Sequence, residues 1–188
     1  ASIERVTDLL ERKPTVTDRP EVIQKYGDSF HPKTENWETL HGDVEFRDVT
    51  FHYPDGGEDV LEHFNLKVPA GTTVAIVGET GAGKSTIVNL ACRFFEPTSG
   101  KILIDGRDYR ERSQLWLQSN IGYVLQDPHL FSGTVRENIR YGRLDATDAE
   151  VARAAELVSA DRIVKKLGKG YESDVGEGGD RLSTGEKQ

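Results

Sequence analysis

Methionine is absent from the 188 residues, and cysteine occurs once, as Cys92. A lone thiol excludes an internal disulfide and any cysteine-based metal cluster. A polypeptide that opens on Ala1 and holds no methionine is expected to be a piece of a longer translation product. No stretch approaches the roughly 20 consecutive apolar residues of a membrane-spanning helix, so this polypeptide is expected to cross no bilayer by itself. Its polar, mixed first residues do not read as a secretory signal. Positive charge is also short, with 24 Lys+Arg against 32 Asp+Glu and a net charge of −8. Surfaces that grip phosphate backbones are normally basic, so nucleic acid is disfavoured as the main partner. What remains is 36% apolar and 30% charged residues with a mean hydropathy of −0.56. That is the composition of a folded domain, long enough for one core and a tail.

Ile3, Val6, Leu9 and Leu10 fall at helical spacing among charged residues, and Pro14 ends the run. From Pro14 to about Gly42 the chain is polar and turn-rich, which predicts a linker or irregular arm. At Asp43 the pattern changes. Val44, Phe46 and Asp48 alternate with Glu45, Arg47 and Val49, and Phe64, Leu66 and Val68 form a second alternating set beyond the Pro54–Gly57 turn cluster. These two strands are expected to be antiparallel neighbours. Residues 72–77 are a continuous run rich in β-branched residues that suits a strand buried on both faces of a parallel sheet. Ile87, Leu90, Ala91 and Phe94 then mark an amphipathic helix. Further strands are expected at 101–105 and 121–124, with a helix near 113–119 between them. Beyond Thr134 the character is helical. Thr147 and Glu150 form a capping box for a helix reaching about Val158, and another is expected over 161–167. The prediction is an α/β core with a helical subdomain.

Gly78-Glu79-Thr80-Gly81-Ala82-Gly83-Lys84-Ser85 matches G-x-x-x-x-G-K-[ST] at every fixed position, between the expected strand and helix. The chemistry accounts for each residue type. Backbone N–H groups can surround a triphosphate only where no Cβ intrudes, hence Gly78, Gly81 and Gly83. The helix opening near Lys84, followed by Ser85 and Thr86, aims its N-terminal dipole at the phosphates. Lys84 supplies a mobile cation for the β and γ oxygens, and the Ser85 hydroxyl is a ligand for Mg²⁺.

With this loop in place, the stretch from Asp43 to Gln188 resembles the nucleotide-binding domain of an ATP-binding cassette (ABC) protein. The resemblance implies a P-loop NTPase, RecA-like core with an antiparallel β subdomain and a helical subdomain, incomplete at its C-terminal end. It implies that Tyr53, in Phe51-His52-Tyr53-Pro54, stacks on adenine, which any aromatic face does cheaply for a purine. Gln126, in Val124-Leu125-Gln126-Asp127-Pro128, resembles the glutamine of the family's moving loop, a Mg²⁺ ligand and water-orienting residue. Leu182-Ser183-Thr184-Gly185-Glu186 resembles the family signature, usually Leu-Ser-Gly-Gly-Gln, and departs from it at Thr184 and Glu186. Ser183 and Gly185 then face the ATP of a second subunit. A carboxylate at Glu186 should repel that triphosphate unless it folds back onto the Ser183 backbone N–H.

Phe131-Ser132-Gly133-Thr134-Val135-Arg136-Glu137-Asn138-Ile139 and Asp174-Val175-Gly176-Glu177-Gly178-Gly179 resemble the exporter branch, with Gly178 where that branch usually has arginine. The opening Ala1–Val6 with Leu9 and Leu10 is similar to the segment after the last transmembrane helix of fused exporters. Residues 1–42 are thus expected to be an arm after a transmembrane domain, and 43–188 a partial nucleotide-binding domain on the cytoplasmic face of a cell membrane. ATP and Mg²⁺ are the implied ligands. A second nucleotide-binding domain and the protein's own or a partner's transmembrane domain are the implied partners. The family's Asp-Glu motif and switch histidine follow the signature and do not fall within residues 1–188. The polypeptide alone is therefore expected to bind MgATP weakly and to hydrolyse essentially none, whereas the intact protein is an ATPase. The alternative is a soluble ABC-type ATPase acting on nucleic acid or the ribosome, disfavoured by the charge. A P-loop kinase or GTPase finds no Asn-Lys-x-Asp base reader.

Overall fold

The computed structural model describes residues 6, 7 and 10–188, in two compact units, Ala1–Ile121 and Gly122–Gln188. The helical run expected over 1–13 falls largely outside the described residues. The first unit is built on a four-stranded antiparallel sheet with strand order β2-β1-β3-β4. Its strands are β1 (Val44–Phe51), β2 (Leu61–Val68), β3 (Ser99–Ile104) and β4 (Arg107–Asp108). β1 and β2 pair antiparallel as the alternation predicted, in the register Phe46↔Leu66. The alternation itself breaks once. Asp48 takes φ +51° and the register shifts between Phe46 and Val49. This bulge brings Phe46, Val49 and Phe51 all to the buried face, where strict alternation put Val49 outside. The bulge fixes Gly100 on β3. Its φ is +79°, and a Cβ there would lie 2.1 Å from the Asp48 carbonyl oxygen.

Helices α2 (Lys84–Ala91) and α3 (Gln114–Ser119) bury Ile87, Leu90, Trp116 and Leu117 in the core of this sheet. Ser113 caps α3, its Oγ accepting from the Trp116 N–H at 3.3 Å. Phe94 lies past the end of α2 and is 43% exposed, so the helical stripe is shorter than predicted.

The segment 14–42 is a packed structure rather than an irregular arm throughout. Pro20–Tyr26 forms α1, with proline at its start, Gly27 after its end, and Val22 and Tyr26 buried. Tyr26 Oη donates to Glu38 at 2.9 Å, and the Trp116 indole N–H donates to the Glu38 carbonyl at 2.8 Å. Asp105 carries the segment into β1. Its carboxylate accepts from the N–H groups of His41, Gly42 and Asp43 at 2.7, 2.9 and 2.9 Å. Burial pulls the Asp105 carboxyl up, but the three donors together outweigh it and hold it below the ordinary value of 3.8. Its contribution to stability is therefore complete above 3.8 and lost as the pH falls through the lower folded value. Asp105→Asn, tolerated at φ +50°, should cost about 1–2 kcal/mol at neutral pH. In chemical denaturation the gap from wild type should close as the pH is lowered below that range. A gap constant down to pH 2 would contradict this account.

Two expected strands are overturned, the doubly buried parallel strand at 72–77 and the short strand at 121–124. Residues 72–79 and 121–125 carry no ladder, and Val74, Ile76, Val77, Val124 and Leu125 are 37–88% exposed. A strand buried on both faces needs a neighbour on each edge to take its N–H and C=O groups. None of the described residues supplies one, so the β-branched composition alone does not make the strand.

The second unit holds α4 (Val135–Arg140), α5 (Asp148–Leu157), α6 (Asp161–Val164) and α7 (Thr184–Lys187). The Thr147–Glu150 capping box opens α5, whose C-cap is Val158, close to the predicted end, and a second box, Thr134–Glu137, opens α4. α6 is shorter than the 161–167 expected, continuing as turns to Leu167. Residues 177–179 form one 3₁₀ turn within the expected loop.

Candidate functional site

The Gly78–Ser85 loop enters α2 through Gly83, which takes φ +80° and ψ 8° as its N-cap. Glycine is needed there twice over, for the left-handed backbone and because a Cβ would meet Leu61 Cδ2 at 3.3 Å and Val60 Cγ1 at 3.4 Å. Gly81 also takes a positive φ of +88°, although a Cβ there would meet nothing within 4 Å. At Gly78 a Cβ would lie 3.3 Å from Ala82 Cβ. The first bond of α2 runs from the Ile87 N–H to the Gly83 carbonyl at 3.0 Å. The N–H groups of Lys84, Ser85 and Thr86 thus precede the helix's own ladder, at its positive end. Glu79, Thr80, Gly81, Ala82 and Ser85 are exposed and open to an incoming anion.

Lys84 folds back over the loop. Its ammonium donates to the Gly78 carbonyl at 2.7 Å and to the Glu79 carbonyl at 2.5 Å. Three converging N–H groups and a cation on a flexible stem fit a polyphosphate. Mg²⁺ is a different matter. Among the described residues no group of three or more His, Cys, Asp or Glu side chains can hold a metal. Within the first unit Ser85 offers a neutral hydroxyl, a donor that fits Mg²⁺ where phosphate oxygens supply the charge.

Tyr53 lies just beyond β1, half-buried between two rings. Phe51 is 4.9 Å away at 79° and Phe95 5.1 Å away at 89°. Its hydroxyl is 2.9 Å from Thr86 Oγ1. The first unit therefore brings together Tyr53 and the whole 78–86 stretch. The tyrosine–threonine contact was not legible from the sequence, because the two residues lie 33 positions apart.

The other predicted residues, Gln126, Ser183, Gly185 and Glu186, belong to the second unit. Gln126 is exposed in an irregular segment, and its backbone carbonyl accepts from Gln188 Nε2 at 3.4 Å. Glu186 folds back on Ser183, accepting from its N–H at 3.0 Å and its O–H at 2.8 Å. The Ser183 N–H and hydroxyl lower the Glu186 pKa, so the carboxylate stays ionised but spends its charge on the helix entry. Lys187 was not picked out from the sequence. Its ammonium donates to the Gly178 carbonyl at 3.0 Å and ties α7 to the turn before it. Gly178, found where arginine is usual, takes φ +61°, and a Cβ there would lie 3.7 Å from His129 Cε1.

The sequence profile described as "ABC transporter" matches residues 61–188. The chain is 45% identical over its whole length to the "Uncharacterized ABC transporter ATP-binding protein YfiC" of Bacillus subtilis (strain 168), covering 29% of that protein. It is 40% identical over 98% of its length to "ABC transporter B family member 15" of Arabidopsis thaliana, covering 14% of it. A solved structure titled "Structure of a bacterial Atm1-family ABC exporter with ATP bound" superposes with a TM-score of 0.80 at 38% identity, over 98% of this chain and 30% of that one. The chain thus spans about a third or less of each of these proteins. The α/β fold, the glycine-rich loop and a profile match over most of its length agree: the chain belongs to the ABC transporter family.

Proposed function

We propose that this chain is the ATP-binding, energy-coupling part of an ABC exporter, residues 43–188 forming the nucleotide-binding portion and residues 1–42 the arm that follows a transmembrane domain. The observation that carries the reading is the loop entering α2. Left-handed Gly81 and Gly83 and the Lys84 ammonium folded over the loop support a seat for polyphosphate. Lys84 neutralises charge on the β and γ oxygens, and the N–H groups of Gly83 to Thr86 hold the phosphates. Gly78 to Ala82 wrap them. Ser85 and Gln126 offer their oxygens to Mg²⁺, which supplies charge neutralisation for phosphoryl transfer. Tyr53 stacks on the adenine. Ser183 and Gly185 meet the ATP held by a second nucleotide-binding domain, with Glu186 turned onto Ser183. ATP binding and hydrolysis between the pair drive export through the transmembrane domain, at the cytoplasmic face of a cell membrane. No helix among the described residues is long and apolar enough to cross a membrane, and the transmembrane domain of the proposal is the protein's own or a partner's.

The longer protein should pair or tighten on adding MgATP and not MgADP, read by crosslinking across the two nucleotide-binding domains. It should hydrolyse ATP in preference to GTP. Salt-dependent binding of nucleic acid without ATP-driven pairing would instead establish the soluble ATPase reading.

A further inference from the structure

Of the side-chain hydroxyls in the Gly78–Thr86 stretch, that of Thr86 is withdrawn from solvent. The residue is 4% exposed, whereas Thr80 and Ser85 are exposed. The Thr86 hydroxyl lies against Tyr53 Oη at 2.9 Å. The Tyr53 ring already meets two nearly perpendicular rings, Phe51 and Phe95. Such edge-to-face contacts each add only a little beyond the area they bury. A hydrogen bond at the far end of the ring adds a directional tie. It anchors the ring to the first turn of α2, which also presents the N–H groups offered to phosphate.

We infer that Thr86 is a positioning residue. Its hydroxyl sets the offset between the Tyr53 ring and the phosphate-binding turn, so that one nucleoside triphosphate meets both. The inference rests on the nucleotide-binding reading above. It divides the work of one residue: the Thr86 side chain serves the base, through Tyr53, while its backbone N–H serves the phosphates. A preset spacing favours a ligand whose base and phosphates are joined at the matching length, because little ordering is left for binding to do. Bare polyphosphate gains nothing from it.

Competition binding to the longer protein, with MgATP and inorganic tripolyphosphate as probes, tests this. Wild type should bind ATP more tightly than tripolyphosphate. Thr86→Val, similar in shape, should lower the ATP-to-tripolyphosphate affinity ratio about fivefold, as expected for one hydrogen bond. Thr86→Ser should restore it. Tyr53→Phe, which keeps the ring and removes the same bond from its other end, should lower the ratio alike and decides the matter if the valine variant does not fold. The double variant should lose no more than the larger single loss. Unchanged ratios in both single variants, or losses that add, overturn the positioning role. A wild type that binds tripolyphosphate as tightly as ATP overturns the adenine-stacking role of Tyr53 itself. A wild type that binds neither overturns the nucleotide reading.

Discussion

Lys84→Met should lower MgATP hydrolysis by the longer protein at least about a hundredfold, the scale on which removing one preorganised charge donor acts. Two effects combine. The variant loses the cation proposed to neutralise the β and γ oxygens. It also leaves the Gly78 and Glu79 carbonyls without the ammonium that bridges them at 2.7 and 2.5 Å. The loop is exposed over its whole length to Ala82, so the lysine is its main tie to α2. Lys84→Arg should fail as well, because a planar fork cannot occupy the point between two carbonyls that a compact ammonium fills. Turnover and nucleotide affinity measured side by side separate the two contributions. Hydrolysis within tenfold of wild type in the methionine variant would remove Lys84 from the machinery.

Asp18→Ala should destabilise the fold by about 3 kcal/mol, the lower end of the range for stranding a buried charge. Its partner Arg93 has a side chain only 1% exposed. The guanidinium donates to Asp18 Oδ1 at 3.0 Å, to Glu96 at 2.9 Å and to the Arg112 carbonyl at 2.8 Å. It lies 5.5 Å from the centroid of the Tyr109 ring. Asp18 also accepts from the Gln114 N–H at 3.1 Å, capping the entry to α3. Losing it leaves a cation with one carboxylate in a place water does not reach. Urea denaturation should show the midpoint falling by about 1 M or more. Replacing both partners, as Asp18→Leu with Arg93→Met, should recover part of the loss, since neither charge is then left alone. A single variant with wild-type stability would show that Glu96 suffices.

How much of this was legible in the sequence follows from the range of each interaction. The Gly78–Ser85 motif, the β1–β2 pairing, and the Thr147–Glu150 and Ser183–Glu186 boxes are set by residues within a few positions of one another, and all were readable. α1 was missed although its signals are present. Pro20 stands at the start, Gly27 follows the end, and Val22 and Tyr26 are four apart, but polar neighbours masked them. The bulge at Asp48 depends on Gly100 in another strand, and the Arg93–Asp18 pair spans 75 positions. Neither leaves a local trace, beyond an arginine set oddly among Cys92, Phe94 and Phe95. Residues 72–77 show the converse. Their β-branched composition suggests a strand that the structure does not form, because a ladder is a property of two strands and no described residue pairs with them. For the candidate site, the glycine-rich loop was legible, and the contact between the Thr86 and Tyr53 hydroxyls, 33 positions apart, was not.

The run from Thr72 to Val77 has a further consequence. It contains no charge and no proline, and among the described residues no strand pairs with it, so it offers a template to a like segment of another copy. Handled apart from whatever covers that edge, the polypeptide should therefore self-associate through these six residues, and a lysine introduced among them would act as a gatekeeper. Concentration and storage of the isolated chain are governed by this edge rather than by the net negative charge that would otherwise keep it dispersed.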